Sequence, residues 1–133
     1  MADKMRHLRL VPEYANIPVL ESFINTCDFL GDDAKNRLTL IATEIYDNIV
    51  SHNRFPFKNT VRVSVSREGS TRLRIAYGTC NFGEMIRANR VVTPHFDRQS
   101  GRYRGIGLRM CRNLATSVVF RRGLFRGLII VTL

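Results

Sequence analysis

Two segments of the sequence carry residue types that phosphate and metal chemistry uses. Glu44, Asn48 and His52 stand at successive four-residue steps, so a helix would place a carboxylate, a carboxamide and an imidazole along one side. Later, Arg104-Gly105-Ile106-Gly107-Leu108 has the form of a glycine loop that opens a helix, and such a turn can direct backbone N–H groups at an anion. Together the two segments predict a phosphate and metal site.

The first of these segments also has a clear buried stripe, which is formed by Leu38, Ile41, Ile45 and Ile49. At about 100° per residue, Asn48 and His52 fall on the border of that stripe, and Glu44 lies one turn before Asn48, toward the polar side. Taken alone, an ordinary helix border with a hydrogen-bonded histidine explains the same pattern. A lone Gly-x-Gly before a helix likewise often serves close packing only.

Length, composition and charge bound the class of protein. The 133 residues, 44% of them hydrophobic, predict one domain over 1–133. The cysteines, Cys27, Cys80 and Cys111, lie too far apart for a zinc or disulfide framework, and no apolar run is long enough to span a membrane, so a cytoplasmic protein is expected. The net charge of +10 favours an acidic partner or a polyanion, or else a solvated basic face. Nucleic acid is disfavoured because no helix-turn-helix, zinc-finger or stacking motif is present.

The order of predicted elements indicates an α+β fold. The pattern predicts a strand over 7–11, a helix that Asn16 caps and Gly31 ends, and a second helix that Asp32 or Asp33 caps and that runs to about His52. A hairpin of strands 61–66 and 73–77 follows. An irregular segment over 78–104, with a short helix near 84–89, precedes a helix over 105–117 and a closing hairpin of strands 118–121 and 128–133.

This order of elements, with Glu-x-x-x-Asn-x-x-x-His before the hairpin and Arg-Gly-Ile-Gly-Leu after it, resembles the histidine-kinase-like (GHKL, Bergerat-fold) ATPase superfamily over nearly the whole chain. Within that superfamily it resembles the bacterial anti-sigma factor serine/threonine kinases. The resemblance implies a two-layer α/β sandwich with a mixed, mainly antiparallel sheet and helices on one face.

The resemblance also implies roles for the two motifs. Asn48 would ligate Mg²⁺, and Glu44 would act as the catalytic residue on the attacking hydroxyl. The segment 83–104 corresponds to the family's ATP lid and is expected to be mobile without ligand. The implied nucleotide-binding residues are Asn48, His52, Arg104, Gly105, Gly107 and Leu108.

The first glycine box of the family is degenerate in this chain. The family has Asp-x-Gly-x-Gly-Phe, whereas the sequence has Tyr77-Gly78-Thr79-Cys80-Asn81-Phe82, so a tyrosine replaces the adenine-binding aspartate. Leu128 stands where the family places a hydroxyl residue on the terminal strand. We expect the Tyr77 ring to point inward, with Leu128 and Ile129 nearby, and nucleotide binding to be weakened or lost.

Three functions remain open from the sequence. The first is a regulatory protein of the anti-sigma type that acts through protein–protein binding. The second is an active ATP- and Mg²⁺-dependent serine/threonine kinase that phosphorylates an anti-sigma factor antagonist. The third is a basic module that binds nucleic acid or an acidic protein. The expected partners are a sigma factor or an anti-sigma antagonist, and a homodimer is left open; neither nucleic acid nor a membrane is expected to be a partner.

Overall fold

The computed structural model describes residues 4–84, 95–97, 102–104, 111 and 113–133, with the backbone alone for 95–97 and 102–104. Their elements are β1 (Lys4–Leu10), a 3-10 turn (Tyr14–Asn16), α1 (Ile17–Asn25), α2 (Asp32–His52), β2 (Val61–Glu68), β3 (Ser70–Gly78), β4 (His95–Asp97), β5 (Arg102–Arg104), β6 (Ser117–Gly123) and β7 (Arg126–Thr132). None of the helices in this described part is long and apolar enough to cross a membrane.

Five of the strands form one antiparallel sheet in the order β1-β2-β3-β7-β6. Along β2, Val61, Val63 and Val65 are buried while Arg62 is exposed, which is the alternation of a sheet covered on one face only. The valines join residues of α1 and α2 in a single core. The predicted fold class, an α+β two-layer sandwich with a mainly antiparallel sheet and helices on one face, is therefore confirmed.

Helix α2 ends where the sequence predicts, but neither Asp32 nor Asp33 is its cap. Gly31 occupies its N-cap position, and Asp32 and Asp33 lie in the first turn, where the positive end of the helix dipole favours carboxylates. The predicted stripe is buried, since Leu38, Ile41, Ile45 and Ile49 are each at most 2% exposed. This apolar stripe fixes the rotation of α2 and therefore the direction in which its polar residues point.

The first strand and first helix differ from prediction, and α1 ends at Asn25, well before Gly31. Strand β1 starts at Lys4, three residues before the predicted position, and pairs in register with β2. Asn16 does precede α1, but its side chain makes no cap: Nδ2 donates to the carbonyl oxygen of Val11 at 2.8 Å. The amide thus stabilises the turn between β1 and α1 instead of the helix terminus.

The region predicted to be irregular contains two short strands. β4 and β5 form a separate antiparallel pair, with His95 opposite Arg104. Strands of three residues are too short to show alternation, which is why the sequence pattern misses them. Of the predicted helix over 84–89, only Glu84 is described, and it is helical. Most of the predicted helix over 105–117 also lies outside the described residues, but it ends before Ser117, which already belongs to β6.

Candidate functional site

Helix α2 places the first group of predicted site residues. Glu44 and Asn48 lie one turn apart and are both half-buried, between the buried stripe and the exposed side, as the helical wheel predicts. His52 is the last residue of α2 and is exposed, and its carbonyl oxygen accepts a hydrogen bond from Asn81 Nδ2 at 2.8 Å. The catalytic and ligand-binding roles of these residues remain predictions.

Most of the second group of predicted site residues lies outside the described part of the chain. Gly105, Gly107 and Leu108 are not described, and Arg104 is described only by its backbone at the end of β5. Convergence of the glycine segment with Glu44 and Asn48 therefore stays a prediction.

Cys111, four residues after Gly107, does give a described contact with α2. Its Sγ lies 4.0 Å from the carbonyl oxygen of Ile41, and the thiol is fully buried. Burial, reinforced by the negative charge of Glu44, raises the pKa of Cys111 to about 12. The chain that follows the glycine segment therefore packs on α2 close to Glu44.

The space that the resemblance assigns to the adenine base is filled by aromatic rings. Tyr77 is 4% exposed on the core face of β3, which confirms its predicted inward orientation. Its ring centroid lies 6.3 Å from that of Phe82, and Phe82 lies 6.3 Å from Phe120. Gly127 stands opposite Tyr77 in register, and a β-carbon there would meet the Phe82 ring at 2.8 Å. Only glycine leaves room for these rings.

The rest of the degenerate glycine box is held by hydrogen bonds to the chain that follows α2. Asn81, in place of the second family glycine, donates to the His52 carbonyl and accepts from the Arg54 N–H at 2.9 Å. The Gly78 N–H donates to Asn59 Oδ1, and Asn59 Nδ2 donates to the Gly78 carbonyl, both at 3.0 Å. Side-chain amides thus close a segment that the family keeps open with glycines.

One prediction about this region is wrong. Leu128 is paired with Ala76, whereas Tyr77 is paired with Gly127, so the Leu128 and Tyr77 side chains point to opposite faces of the sheet. Ile129 does share the face of Tyr77 and is buried. The terminal strand is apolar on both faces here, and alternation alone could not assign Leu128 to a face.

Two residues next to the predicted ones were missed by sequence reasoning. Asp47 is only 2% exposed, although carboxylates are seldom buried. Tyr46 is fully buried; its hydroxyl accepts from the Glu13 N–H at 2.9 Å and lies 2.7 Å from the Val11 carbonyl oxygen, to which it donates. At about 100° per residue both lie outside the apolar stripe of α2, so helical periodicity gave no signal for their burial. The hydrogen bonds of Tyr46 tie α2 to the turn after β1.

An open cleft of about 560 Å³ lies beside the aromatic rings, between residues 79–84 and the turn over 122–126. Glu44 and Asn48 do not line it. Among the described residues no three His, Cys, Asp or Glu side chains are grouped for a metal ion, so magnesium would depend on Asn48 and on nucleotide phosphates. Binding of Mg²⁺ and nucleotide phosphates by Glu44 and Asn48 stays a prediction, while the rings around Tyr77 fill the space that the resemblance assigns to adenine.

Comparison with known proteins shows a likeness in fold. No protein-family model and no curated protein sequence matches the chain. Among solved structures, the chain is similar to the crystal structure of the RsbU and RsbW domains of Rv1364c from Mycobacterium tuberculosis, with a TM-score of 0.64 and 12% sequence identity. The match covers 96% of this chain and 32% of that chain, so this chain spans about a third of its length. At this identity the likeness shows the fold alone.

Proposed function

We propose that the chain is a regulatory protein of the anti-sigma factor type that acts by binding partner proteins, with nucleotide binding weakened or lost. The observation that carries this proposal is the burial of Tyr77, 4% exposed, in the place of the adenine-binding aspartate. Its ring packs against Phe82 over Gly127, which leaves no space for a base between them.

The chemistry of Tyr77 supports the same conclusion. Adenine recognition by this fold needs an acceptor for the exocyclic amino group, and a site without that acceptor loses several kcal/mol of binding energy. Burial raises the pKa of Tyr77, so its hydroxyl stays neutral and does not replace a carboxylate. Purine binding therefore lacks both the space and the charge.

A protein partner is supported by two further observations. The sequence resembles the anti-sigma factor serine kinases, and the fold is similar to a structure that includes an RsbW domain. The net charge of +10 favours an acidic surface on the partner. A sigma factor or an anti-sigma antagonist is the partner class that we propose.

Calorimetric titration with Mg²⁺-ATP tests the nucleotide part of the proposal. We expect no saturation below about 1 mM, which corresponds to about −4 kcal/mol. Binding to purified sigma factors and to antagonist proteins from the same genome, measured without nucleotide, tests the partner part. Micromolar ATP binding, or a partner complex that forms only with ATP, would contradict the proposal.

An active kinase is the second candidate, because Glu44 and Asn48 remain half-buried and one turn apart on α2. Phosphoryl transfer depends mainly on positioning and charge neutralisation, which these residues are suited to provide. Transfer of labelled phosphate from ATP to a serine of an antagonist protein would establish this activity, provided that Glu44→Gln and Asn48→Ala abolish it. Loss of transfer in these variants with unchanged unfolding midpoints would exclude a folding defect.

A further inference from the structure

The face of the five-stranded sheet that the helices leave open is strongly basic. Residues that stand opposite each other in a ladder share a face, so the register of the five strands shows which arginine side chains lie on this face. We call it the basic sheet face, and its arginines, all exposed, are Arg9, Arg62, Arg72, Arg74, Arg121 and Arg126.

These charges have no carboxylate partners within the described part of the chain. The ion pair found there joins Arg37 and Asp33 on α2, in the other layer. Glu68 is the one acidic residue of the five strands, and it lies at the hairpin turn between β2 and β3. Arg9 and Arg62 stand directly opposite each other, which destabilises a sheet. The fold itself gains nothing from this arrangement of charge.

The centre of the basic sheet face is aliphatic. Ile130 on β7 pairs with Val119 on β6, which is 40% exposed. Leu128 lies two residues before Ile130 on β7, so it shares this face. Ala76 pairs with Leu128, and its small side chain leaves a groove of about 310 Å³ whose lining includes Arg62 and Leu128. An apolar floor with arginines beside it is the composition of a protein-binding surface, in which an apolar centre is surrounded by polar contacts.

We infer that the basic sheet face docks an acidic amphipathic helix of a partner protein. Its apolar side chains would lie on Ala76, Leu128 and Ile130, and its carboxylates would pair with Arg62 and Arg74. Strands β2 and β7 flank β3 at about 10 Å from each other, which matches the roughly 10 Å diameter of a helix. Arginine suits this role because its planar guanidinium binds carboxylates through two hydrogen bonds.

Nucleic acid and a second copy of the chain fit this face less well. Sheets that bind single-stranded nucleic acid present aromatic rings on their strands for base stacking, and no residue that the five strands direct to this face is Phe, Tyr or Trp. Two loop rings, Phe55 and Phe125, lie at one end of the face, where they line a pocket with Arg62 and Leu128. A second copy would bring two sets of arginines together, and the like charges would repel each other.

This inference rests on the proposed function in that it names the chemistry of the partner, but it does not involve nucleotide. A synthetic peptide of about 18 residues serves as the probe, with leucine at the i, i+3, i+4 and i+7 positions of one side and glutamate beside them. Fluorescence anisotropy with the full chain would be measured at about 50 mM and about 200 mM salt. A scrambled peptide of equal composition and a single-stranded DNA of about 20 nucleotides serve as comparisons.

We expect micromolar binding of the ordered peptide, weakened by salt and weakened about tenfold by the double variant Arg62→Glu/Arg74→Glu. Ile130→Thr should weaken it about fivefold. The matched controls on α2, Arg37→Glu and the 48%-exposed Leu40→Thr, should bind as the unmodified protein does. Exposed positions seldom affect stability, and unchanged unfolding midpoints would confirm that each variant is folded.

Three results would overturn the inference. The first is equal binding of the ordered and scrambled peptides. The second is tighter binding of the DNA than of the peptide, insensitive to Ile130→Thr, which would assign the face to nucleic acid. The third is a dimer in sedimentation that the double arginine variant abolishes. If neither the peptide nor ATP binds, the inference about this face fails while the proposed function stands. If both the peptide and ATP bind, the proposed function fails while the inference about this face stands.

Discussion

Truncation of Tyr77 to alanine should destabilise the protein by about 4 kcal/mol. An aromatic side chain buries roughly 150–250 Å², and at about 25 cal/mol per Å² its burial is worth about 4–6 kcal/mol. Alanine keeps the β-carbon, and comparable truncations of buried rings cost about 3–5 kcal/mol. Because Tyr77 is 4% exposed and contacts Phe82, little of that loss should be recovered by solvation.

Urea unfolding followed by circular dichroism measures this change. With a slope of about 2 kcal/mol per M, the midpoint should fall by about 2 M. Tyr77→Phe is the matched control, because it keeps the ring, and it should shift the midpoint by less than about 0.5 M. A loss below about 1 kcal/mol for Tyr77→Ala would refute the conclusion that this ring fills the base side of the site.

The same position separates space from chemistry in nucleotide binding. Tyr77→Asp and Tyr77→Ala remove the same ring, but only aspartate restores the acceptor of the family. We therefore expect tighter Mg²⁺-ATP binding by Tyr77→Asp than by Tyr77→Ala in calorimetric titration. Adding Leu128→Thr to Tyr77→Asp or to Tyr77→Ala should leave ATP binding unchanged, because Leu128 and Tyr77 point to opposite faces of the sheet. A gain of ATP affinity from Leu128→Thr alone would show that this face assignment is wrong.

Three further changes are expected to alter stability. Gly127→Ala should cost about 1–3 kcal/mol, because its β-carbon would lie 2.8 Å from a buried ring, whereas Gly83→Ala, with nothing closer than 4.0 Å, should be nearly silent in the same urea assay. Tyr46→Phe should cost about 1–3 kcal/mol in thermal unfolding, since it leaves buried backbone groups without their hydroxyl partner, and no change would contradict the bonding described. Burial raises the pKa of Cys111 from 9.0 to about 12, so the free energy of unfolding should be unaffected by this thiol below pH 9 and should fall between pH 9 and pH 12. Cys111→Ala should make this fall with pH less steep, and an unchanged fall would refute the raised pKa.

Sequence patterns were reliable where one period ran through a whole element. The isoleucine stripe of α2 predicted its buried side and the half-buried positions of Glu44 and Asn48. The alternation of β2 likewise predicted a sheet with one buried face. In both cases the apolar residues of one face are separated by polar ones, so that a single burial pattern is possible.

The same reasoning failed where the decisive contacts were distant in sequence. Leu128 could not be assigned to a face because its neighbours on β7 are apolar on both sides, and only the register with β3 resolves it. The hydrogen bonds of Asn81 join residues 27 and 29 positions away, and no local pattern encodes such pairs. The basic sheet face was equally hidden, because its arginines come from separate strands.

The presence of Glu44 and Asn48 is by itself weak support for catalysis. They lie on a helix that the core requires in any case, since Ile41, Ile45 and Ile49 bury the same element. Under the proposed relationship to the anti-sigma kinases, activity also needs a base site, and Tyr77 is buried at the position of the adenine-binding aspartate. The residues that separate a kinase from a protein-binding regulator are therefore those of the base side, and substitutions there are more informative about function than substitutions on α2 alone.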